Sequence, residues 1–197
     1  MHPRTKDLIL ATHGRGIWIL DDASPIAEWS PAVAAERAHL FNVPRATMML
    51  YWEDVSNMGQ GFYTSENPAE GAMFSYSLGQ AAKTVKLVVK NPAGRLLREL
   101  SGPVTPGLVH RVNWDLRYEG VTSFPGMILW GASTQGPVAP PGTYQVRLTV
   151  DGKSQTQKFK VKRNPMITDV SDADLRAQFD FSMKVFAKVN EAQQAVI

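Results

Sequence analysis

The sequence predicts a mainly β fold: a β-sandwich preceded by a separate β-hairpin and followed by one α-helix. Two patterns predict the sandwich, namely short runs in which apolar and polar residues alternate and turn residues that separate these runs at regular intervals. Apolar residues at helical spacing near the end of the chain predict the helix. The predicted organisation is a hairpin over residues 1–22, a connector over 23–71, the sandwich over 72–163 and a C-terminal helix over 164–197.

The hairpin is predicted from two apolar runs, residues 7–12 and 17–20. The four residues between them, His13-Gly14-Arg15-Gly16, include two glycines that can adopt the positive φ angles of a tight turn. Apolar residues occupy consecutive positions in both strands, which is typical of a sheet covered on both faces. A two-stranded sheet is marginally stable in water, so we expect the hairpin to pack against other protein surface.

The connector contains one predicted short helix and one long loop. Ser30 followed by Pro31 is a typical helix start, and we expect the helix over residues 32–39. Turn-forming residues dominate 52–70, which predicts an ordered loop with few regular hydrogen bonds. We expect this loop to be held against neighbouring surface by its aromatic residues, Trp52, Phe62 and Tyr63.

The sandwich is predicted to contain six or seven short strands. Its clearest turn is Asp151-Gly152, a dipeptide that favours a two-residue hairpin. Asn91-Pro92-Ala93-Gly94 predicts a second turn. The strands between these and other turns are residues 73–78, 84–90, 95–100, 107–116, 143–150 and 154–162.

Residues 171–197 are predicted to be helical. Ser171 and Asp174 resemble a capping box, with Asp at the position where Glu is commoner. Apolar residues recur at helical spacing after this start, and the sequence has no stop signal before Ile197. We expect the apolar side of the helix to be buried against the sandwich, a missing domain or a second copy of the chain.

Two segments of the predicted sandwich resemble a known domain. Trp114-Asp115 ends an alternating strand, a Gly/Pro-rich excursion follows, and Pro141-Gly142-Thr143-Tyr144 begins the next strand. This order resembles the FlgD-type immunoglobulin-like domain, a small β-sandwich fused to many bacterial secreted proteins. The resemblance implies an immunoglobulin-like sandwich that packs, spaces and presents other domains and is rarely catalytic. We expect Trp114 to fill the core and Asp115 to cap the following turn.

A second resemblance covers the hairpin. Residues 6–22 resemble the last-blade strand pair of sortilin-like (BNR-repeat) β-propellers, a glycosyl-hydrolase type common in large bacterial secreted proteins. A blade needs four strands and a propeller needs several blades, so the resemblance implies that this chain is the C-terminal piece of a larger propeller protein. It also implies a secreted or periplasmic location as part of that parent. Met1–Lys6 is not followed by a signal-peptide region, so we expect the signal upstream.

Composition limits the partners of the chain. Its 197 residues include 21 Lys or Arg, 18 Asp or Glu and no cysteine, so the net charge is +3 and disulfides are excluded. No apolar run is long enough to span a membrane. The basic cluster Lys158, Lys160, Lys162 and Arg163 lies on an alternating strand, which favours a solvated face. No stacking aromatics interleave with this cluster, so nucleic-acid binding is not predicted.

No catalytic residue, cofactor or metal site is predicted. Asp21-Asp22 could form a glycosidase carboxylate pair, but adjacent strand residues point to opposite faces, and we expect them to end the strand or cap a turn. His13-Gly14-Arg15-Gly16 could hold an anion, but no helix follows it, and a turn is favoured. The histidines lack metal-ligand spacing; they are His2, His13, His39 and His110.

Exposed aromatic residues are the candidate contacts for a ligand or a partner. A flat ring on a surface can stack on a sugar or pack against another protein. Trp130 is the strongest candidate because it ends an apolar run, residues 127–130, inside a loop. The full set is Trp130, Phe124, Trp52 and Tyr63. The alternative is that these rings only hold long loops against the sandwich.

The sequence therefore favours a non-catalytic accessory or interaction module at the C-terminus of a larger secreted propeller protein. Expected partners are the missing propeller domain, a protein partner or a second copy of the chain joined through the hairpin or the helix. One alternative is a carbohydrate-binding module of a glycoside hydrolase, in which Trp130 binds sugar. Another is a fragment of an enzyme whose active site lies in the missing propeller.

Overall fold

The computed structural model describes residues 1–3, 5–49, 67–131 and 133–197. Its strands are β1 (Leu8–Ala11), β2 (Ile17–Leu20), β3 (Ala38–Leu40), β4 (Ala46–Thr47), β5 (Ala72–Leu78), β6 (Val85–Lys90), β7 (Leu96–Ser101), β8 (Gly107–Trp114), β9 (Gly142–Val150) and β10 (Lys153–Lys162). Its helices are α1 (Ser24–Glu28), α2 (Pro31–Ala35) and α3 (Asp172–Gln194). The predicted mainly β fold with a C-terminal helix is confirmed.

The sandwich consists of a five-stranded and a three-stranded sheet. The strand orders are β4-β10-β9-β6-β7 and β3-β5-β8, and the hairpin β1-β2 forms a separate two-stranded sheet. Neighbouring strands are antiparallel except β4 and β10, which are parallel. Asp151 and Gly152 join β9 to β10 with φ angles of 46° and 86°, the positive values that the predicted two-residue turn requires.

Two strands of the sandwich lie in the segment predicted as a connector. On β3, Leu40 pairs with Tyr76 of β5, and on β4, Ala46 pairs with Val161 of β10. Leu40 and Ala46 are both buried in the core. The sandwich therefore includes residues before 72. Strands of two or three residues have no measurable periodicity, which explains why the alternation pattern missed them.

Four aromatic side chains join the two sheets at the centre of the core. Phe74 and Trp114 come from the three-stranded sheet, whereas Tyr144 and Phe159 come from the five-stranded sheet. The ring centroids of Phe74 and Phe159 are 5.3 Å apart, and those of Trp114 and Tyr144 are 5.6 Å apart. The Trp114 side chain is fully buried, and its Nε1 donates to the carbonyl of Arg117 at 2.7 Å. The predicted core position of Trp114 is confirmed.

Two buried tyrosines anchor proline-containing loops to the sandwich. The Tyr144 hydroxyl donates to the Pro140 carbonyl at 2.6 Å, and the Tyr76 hydroxyl donates to the Pro103 carbonyl at 2.7 Å. Burial raises the pKa of Tyr76 to about 12 and also raises the pKa of Tyr144. The folded protein therefore favours the neutral phenol at both positions. A buried phenolate would lose its hydration, and without its proton it could no longer donate a hydrogen bond to the proline carbonyl.

Helix α3 begins as predicted and ends earlier than predicted. Asp174 N donates to Ser171 Oγ at 3.2 Å, and Ser171 N donates to Asp174 Oδ2 at 2.9 Å, which completes the capping box. The last helical residue is Gln194, whereas the sequence predicted a helix that continues to Ile197. Carbonyls in the last turn of a helix lack intrahelical donors, so helix ends fray without a dedicated capping residue.

The same helix packs loosely on the sandwich. None of its residues is buried, so the structure does not show burial of its apolar side against the sandwich, which was one of the three covers expected from the sequence. It contacts the loop after β8 through Phe179, whose ring centroid lies 5.1 Å from that of Tyr118. Near its C-terminal end, Asn190 Oδ1 accepts a hydrogen bond from Thr122 N at 2.7 Å. These contacts hold the helix beside the sandwich and leave most of its surface exposed.

We expect Trp114→Phe to lower the free energy of unfolding by about 2–4 kcal/mol. The smaller ring leaves a void between the sheets and removes the indole donor from the Arg117 carbonyl. Trp18→Phe is the matched control, because Trp18 is 65% exposed, and it should change stability by less than about 0.5 kcal/mol. Urea denaturation measures both effects, and equal losses would contradict the assignment.

A second prediction concerns alkaline pH. The pKa of Tyr76 is raised from 10.0 to about 12 on folding, so its stabilising contribution is complete below pH 10 and is lost as the pH rises towards 12. The Tyr76→Phe protein should be less stable than the wild type at neutral pH. Between pH 10 and 12, however, its free energy of unfolding should fall by about 1–2 kcal/mol less than that of the wild type. Urea denaturation across this range tests the expectation. Parallel pH profiles of the two proteins would refute it.

Candidate interaction site

The β1–β2 hairpin exposes apolar side chains on both of its faces. Ile9 pairs with Ile19 and Leu10 pairs with Trp18, so each face carries an apolar cross-strand pair. Trp18 is 65% exposed and Ile19 is 62% exposed. The sequence predicted a sheet covered on both faces. Within the described part of this chain, however, no third strand pairs with the hairpin and its surface is open.

Hydrogen bonds close the base of the hairpin, and one of them ties it to the sandwich. Asp22 N donates to Asp7 Oδ1 at 3.0 Å, and Ala23 N donates to the Lys6 carbonyl at 2.9 Å. Arg111, on β8, donates from Nη2 to the Asp22 carbonyl at 2.8 Å. The hairpin is thus held at its base while its strands remain exposed.

The carboxylates at this base have structural roles. Asp22 Oδ1 accepts hydrogen bonds from the amide and the hydroxyl of Ser24, so Asp22 caps the turn after β2. This is the turn cap that the sequence predicted for Asp22. Hydrogen bonds from the Thr5 hydroxyl and the Asp22 amide lower the pKa of Asp7, which keeps this acceptor charged.

The His13-Gly14-Arg15-Gly16 segment forms the predicted turn. Thr12 N and Thr12 Oγ1 donate to the carbonyl of Gly16 at 3.1 and 2.8 Å. Gly14 and Gly16 have φ angles of 76° and 84°, values that residues with a side chain rarely adopt. These glycines are therefore explained by the turn itself.

Trp130 lies in the loop between β8 and β9 and is 94% exposed. Met127 N donates to the Phe124 carbonyl at 3.3 Å, and Gly131 N donates to the Leu129 carbonyl at 3.0 Å, so the loop folds into tight turns on either side of the apolar run. Phe124 is half-buried. The structure therefore presents Trp130 to solvent and turns Phe124 partly inward. The other two predicted contacts, Trp52 and Tyr63, lie outside the described residues.

A cleft between α3 and the β8–β9 loop was not predicted from the sequence. It consists of two cavities of about 390 and 520 Å³ that share the lining residues Met48, Arg117, Gln135, Val138 and Leu175. Arg117 is held at its wall by a 3.1 Å hydrogen bond to the Gly136 carbonyl. Helical spacing indicates which side of a helix is apolar but not how closely that side packs, so the sequence has no signal for the cleft.

The imidazole of His39 is engaged by carboxylates. Its Nδ1 lies 3.1 Å from Glu36 Oε2, and its Nε2 lies 3.3 Å from Glu28 Oε1. Both ring nitrogens therefore have hydrogen-bond partners.

Across the residues that the structure describes, no group of three His, Cys, Asp or Glu side chains is arranged to hold a metal ion. Across the same residues, no helix is long and apolar enough to cross a membrane.

Comparisons with known proteins add little to this geometry. No family model matches the chain. No curated protein matches it either. Among solved structures, the chain is similar to CopC from Methylosinus trichosporium OB3b, with 11% identity and a TM-score of 0.32 over 64% of this chain and 95% of that one. A likeness of this size carries no argument about function.

Proposed function

We propose that this chain is a non-catalytic accessory module of a larger secreted β-propeller protein, in which the hairpin β1–β2 packs against the propeller. The observation that carries the proposal is the exposure of apolar side chains on both faces of a hairpin whose base is fixed. The resemblances to sortilin-like (BNR-repeat) propellers and to FlgD-type immunoglobulin-like domains supply the kind of parent. The secreted or periplasmic location is part of the same proposal.

The hairpin has two means of binding a partner sheet. Its apolar side chains can be buried, and each large one contributes about 1.5–3 kcal/mol when fully removed from water. Its strands pair only with each other in the described chain, so their outer backbone N–H and C=O groups can join the strands of another sheet. A β-sheet of a neighbouring domain supplies both kinds of partner, which favours a propeller blade over a helical surface.

The proposal is tested with the polypeptide encoded directly upstream in the same reading frame, expressed as a separate chain. Residues 1–197 should bind it with protection of the β1 and β2 amides from hydrogen exchange. Ile17→Lys combined with Ile19→Lys should weaken binding at least about tenfold, because it places two charges on a hairpin face that the proposed complex would bury. Ile17 is 70% exposed, so the double variant should remain folded.

Ile128→Lys is the control, because Ile128 is 75% exposed in the loop between β8 and β9. It should leave the affinity unchanged. Binding without protection of the hairpin amides would contradict the proposal, as would an equal loss in the control. If residues 1–197 form concentration-dependent dimers and the Ile17/Ile19 variant abolishes them, the partner of the hairpin is a second copy of the chain and not a propeller.

A carbohydrate-binding module is the second candidate function, and the near-complete exposure of the Trp130 ring favours it. An indole face can stack on a pyranose ring. If this function is correct, the chain binds a glycan saturably in an oligosaccharide array, and Trp130→Ala weakens that binding at least about tenfold. Phe181→Ala, at a 67% exposed ring on α3, should have no effect. Equal effects of the two variants would rule out a Trp130 platform.

A further inference from the structure

The outer face of the five-stranded sheet is strongly basic. Alternation on β10 places Phe159 and Val161 in the core and the intervening lysines on the opposite face. Residues of β9 and β6 that pair with these positions extend the same face. The basic residues of this outer face are Lys86, Lys90, Arg147, Lys158, Lys160 and Lys162.

Positive charge is concentrated on this face. Six of the 21 Lys and Arg residues of the chain lie on it, whereas its strands place one of the 18 Asp and Glu residues there. That acid, Glu99, binds Lys86 at 2.6 Å. The whole chain has a net charge of +3, so the remaining surface is net acidic. The face is therefore a local patch and does not reflect an evenly basic protein.

Polar groups lie between the cations in a regular pattern. Lys158 pairs with Gln145, and Lys160 pairs with Thr143. Two residues before Lys158 on β10, Thr156 pairs with Arg147. Neighbouring charges on one strand lie about 7 Å apart, and neighbouring strands lie about 5 Å apart. The surface thus offers cations for acidic groups together with hydroxyl and amide groups that can bind sugar hydroxyls.

A depression of about 460 Å³ lies at one end of this face. Lys160, Lys162, Arg163 and Thr143 line it. Asp172 also lines it and lies 3.7 Å from Arg163. Three cations against one carboxylate make this depression suitable for a carboxylate or sulfate group.

We propose that the outer face of the five-stranded sheet binds an acidic polysaccharide through ionic contacts to carboxylate or sulfate groups. Alternation in the sequence is equally compatible with a merely solvated face. The tertiary structure adds the charges of β6 and β9 and the depression beside β10. The proposal concerns a surface distinct from the hairpin and goes beyond the function proposed above.

The shape and composition of the face disfavour nucleic acid. Its strands place no aromatic side chain outward within the described residues, so single-stranded bases have no ring on which to stack. Five strands span roughly 19 Å, which is wider than the roughly 12 Å major groove of duplex DNA.

The face also offers little apolar surface that could enter a lipid bilayer. Val88 lies among its charges but is 8% exposed. Stable membrane binding by a basic surface generally needs an apolar or lipid anchor in addition to charge. Leu96 of β7, which pairs with Lys90, is 45% exposed at the edge of the sheet, and the other large exposed apolar residues described lie outside this sheet, as on the β1–β2 hairpin and α3.

The test measures binding of residues 1–197 to immobilised heparin and to polygalacturonate at physiological salt, with neutral dextran as the uncharged comparison. Binding to at least one acidic polymer and none to dextran is expected. Combined Lys158→Gln, Lys160→Gln and Lys162→Gln should weaken binding at least about tenfold and reduce the slope of log affinity against log salt by about three. All three side chains are exposed, so the variant should keep its fold, which circular dichroism checks.

The matched control combines Lys83→Gln, Lys184→Gln and Lys188→Gln, which removes the same charge from exposed positions elsewhere. It should change the affinity less than about twofold. Arg147→Gln with Lys90→Gln, on the neighbouring strands, should weaken binding independently of the first variant. An equal loss in the control would overturn the proposal, as would no saturable binding. Tighter binding to duplex DNA or to phosphatidylserine vesicles than to either polysaccharide would also overturn it.

Discussion

The packing of Trp114 between the two sheets is the interaction on which the rest of the structure depends. Its ring contacts Tyr144 and Phe159 of the opposite sheet, and its Nε1 binds the Arg117 carbonyl. That bond, together with the 3.0 Å bond from Arg117 N to Asp115 Oδ1, turns the chain sharply out of β8. Leu116 has a φ of 58° in this turn, a conformation that non-glycine residues rarely adopt. The same side chain thus holds the sandwich together and directs the loop that presents Trp130.

The sandwich separates two surfaces of different chemistry. The hairpin is apolar, and Arg111 of the three-stranded sheet ties its base to the core. The outer face of the five-stranded sheet is basic and interleaved with hydroxyl and amide groups. Apolar burial acts over contact distance, whereas charge attracts a polyanion over roughly 8–10 Å at physiological salt. The two proposed contacts, a neighbouring domain at the hairpin and a charged polymer at the sheet, would therefore use separate surfaces of one sandwich.

The candidate site was only partly predictable from its residues. An apolar run ending in Trp130 inside a Gly/Pro-rich loop predicted an exposed ring, and the structure exposes it. Phe124, from the same loop, is half-buried, and its carbonyl accepts a hydrogen bond from Met127 N. The cleft beside α3 and the basic depression beside β10 each combine residues far apart in sequence, so no local pattern could indicate them.

The sequence by itself determined the mainly β class, the turn at Asp151-Gly152, the capping box of α3 and the core position of Trp114. These depend on short-range geometry and on alternation, which neighbouring residues encode. Only the tertiary structure decided that β3 and β4 join the sandwich, that α3 buries none of its residues and that none of the described residues covers the hairpin. Burial depends on which surfaces meet in space. An apolar run indicates that its side chains are more stable when buried. Whether they are buried depends on residues that are distant in the chain or belong to another chain.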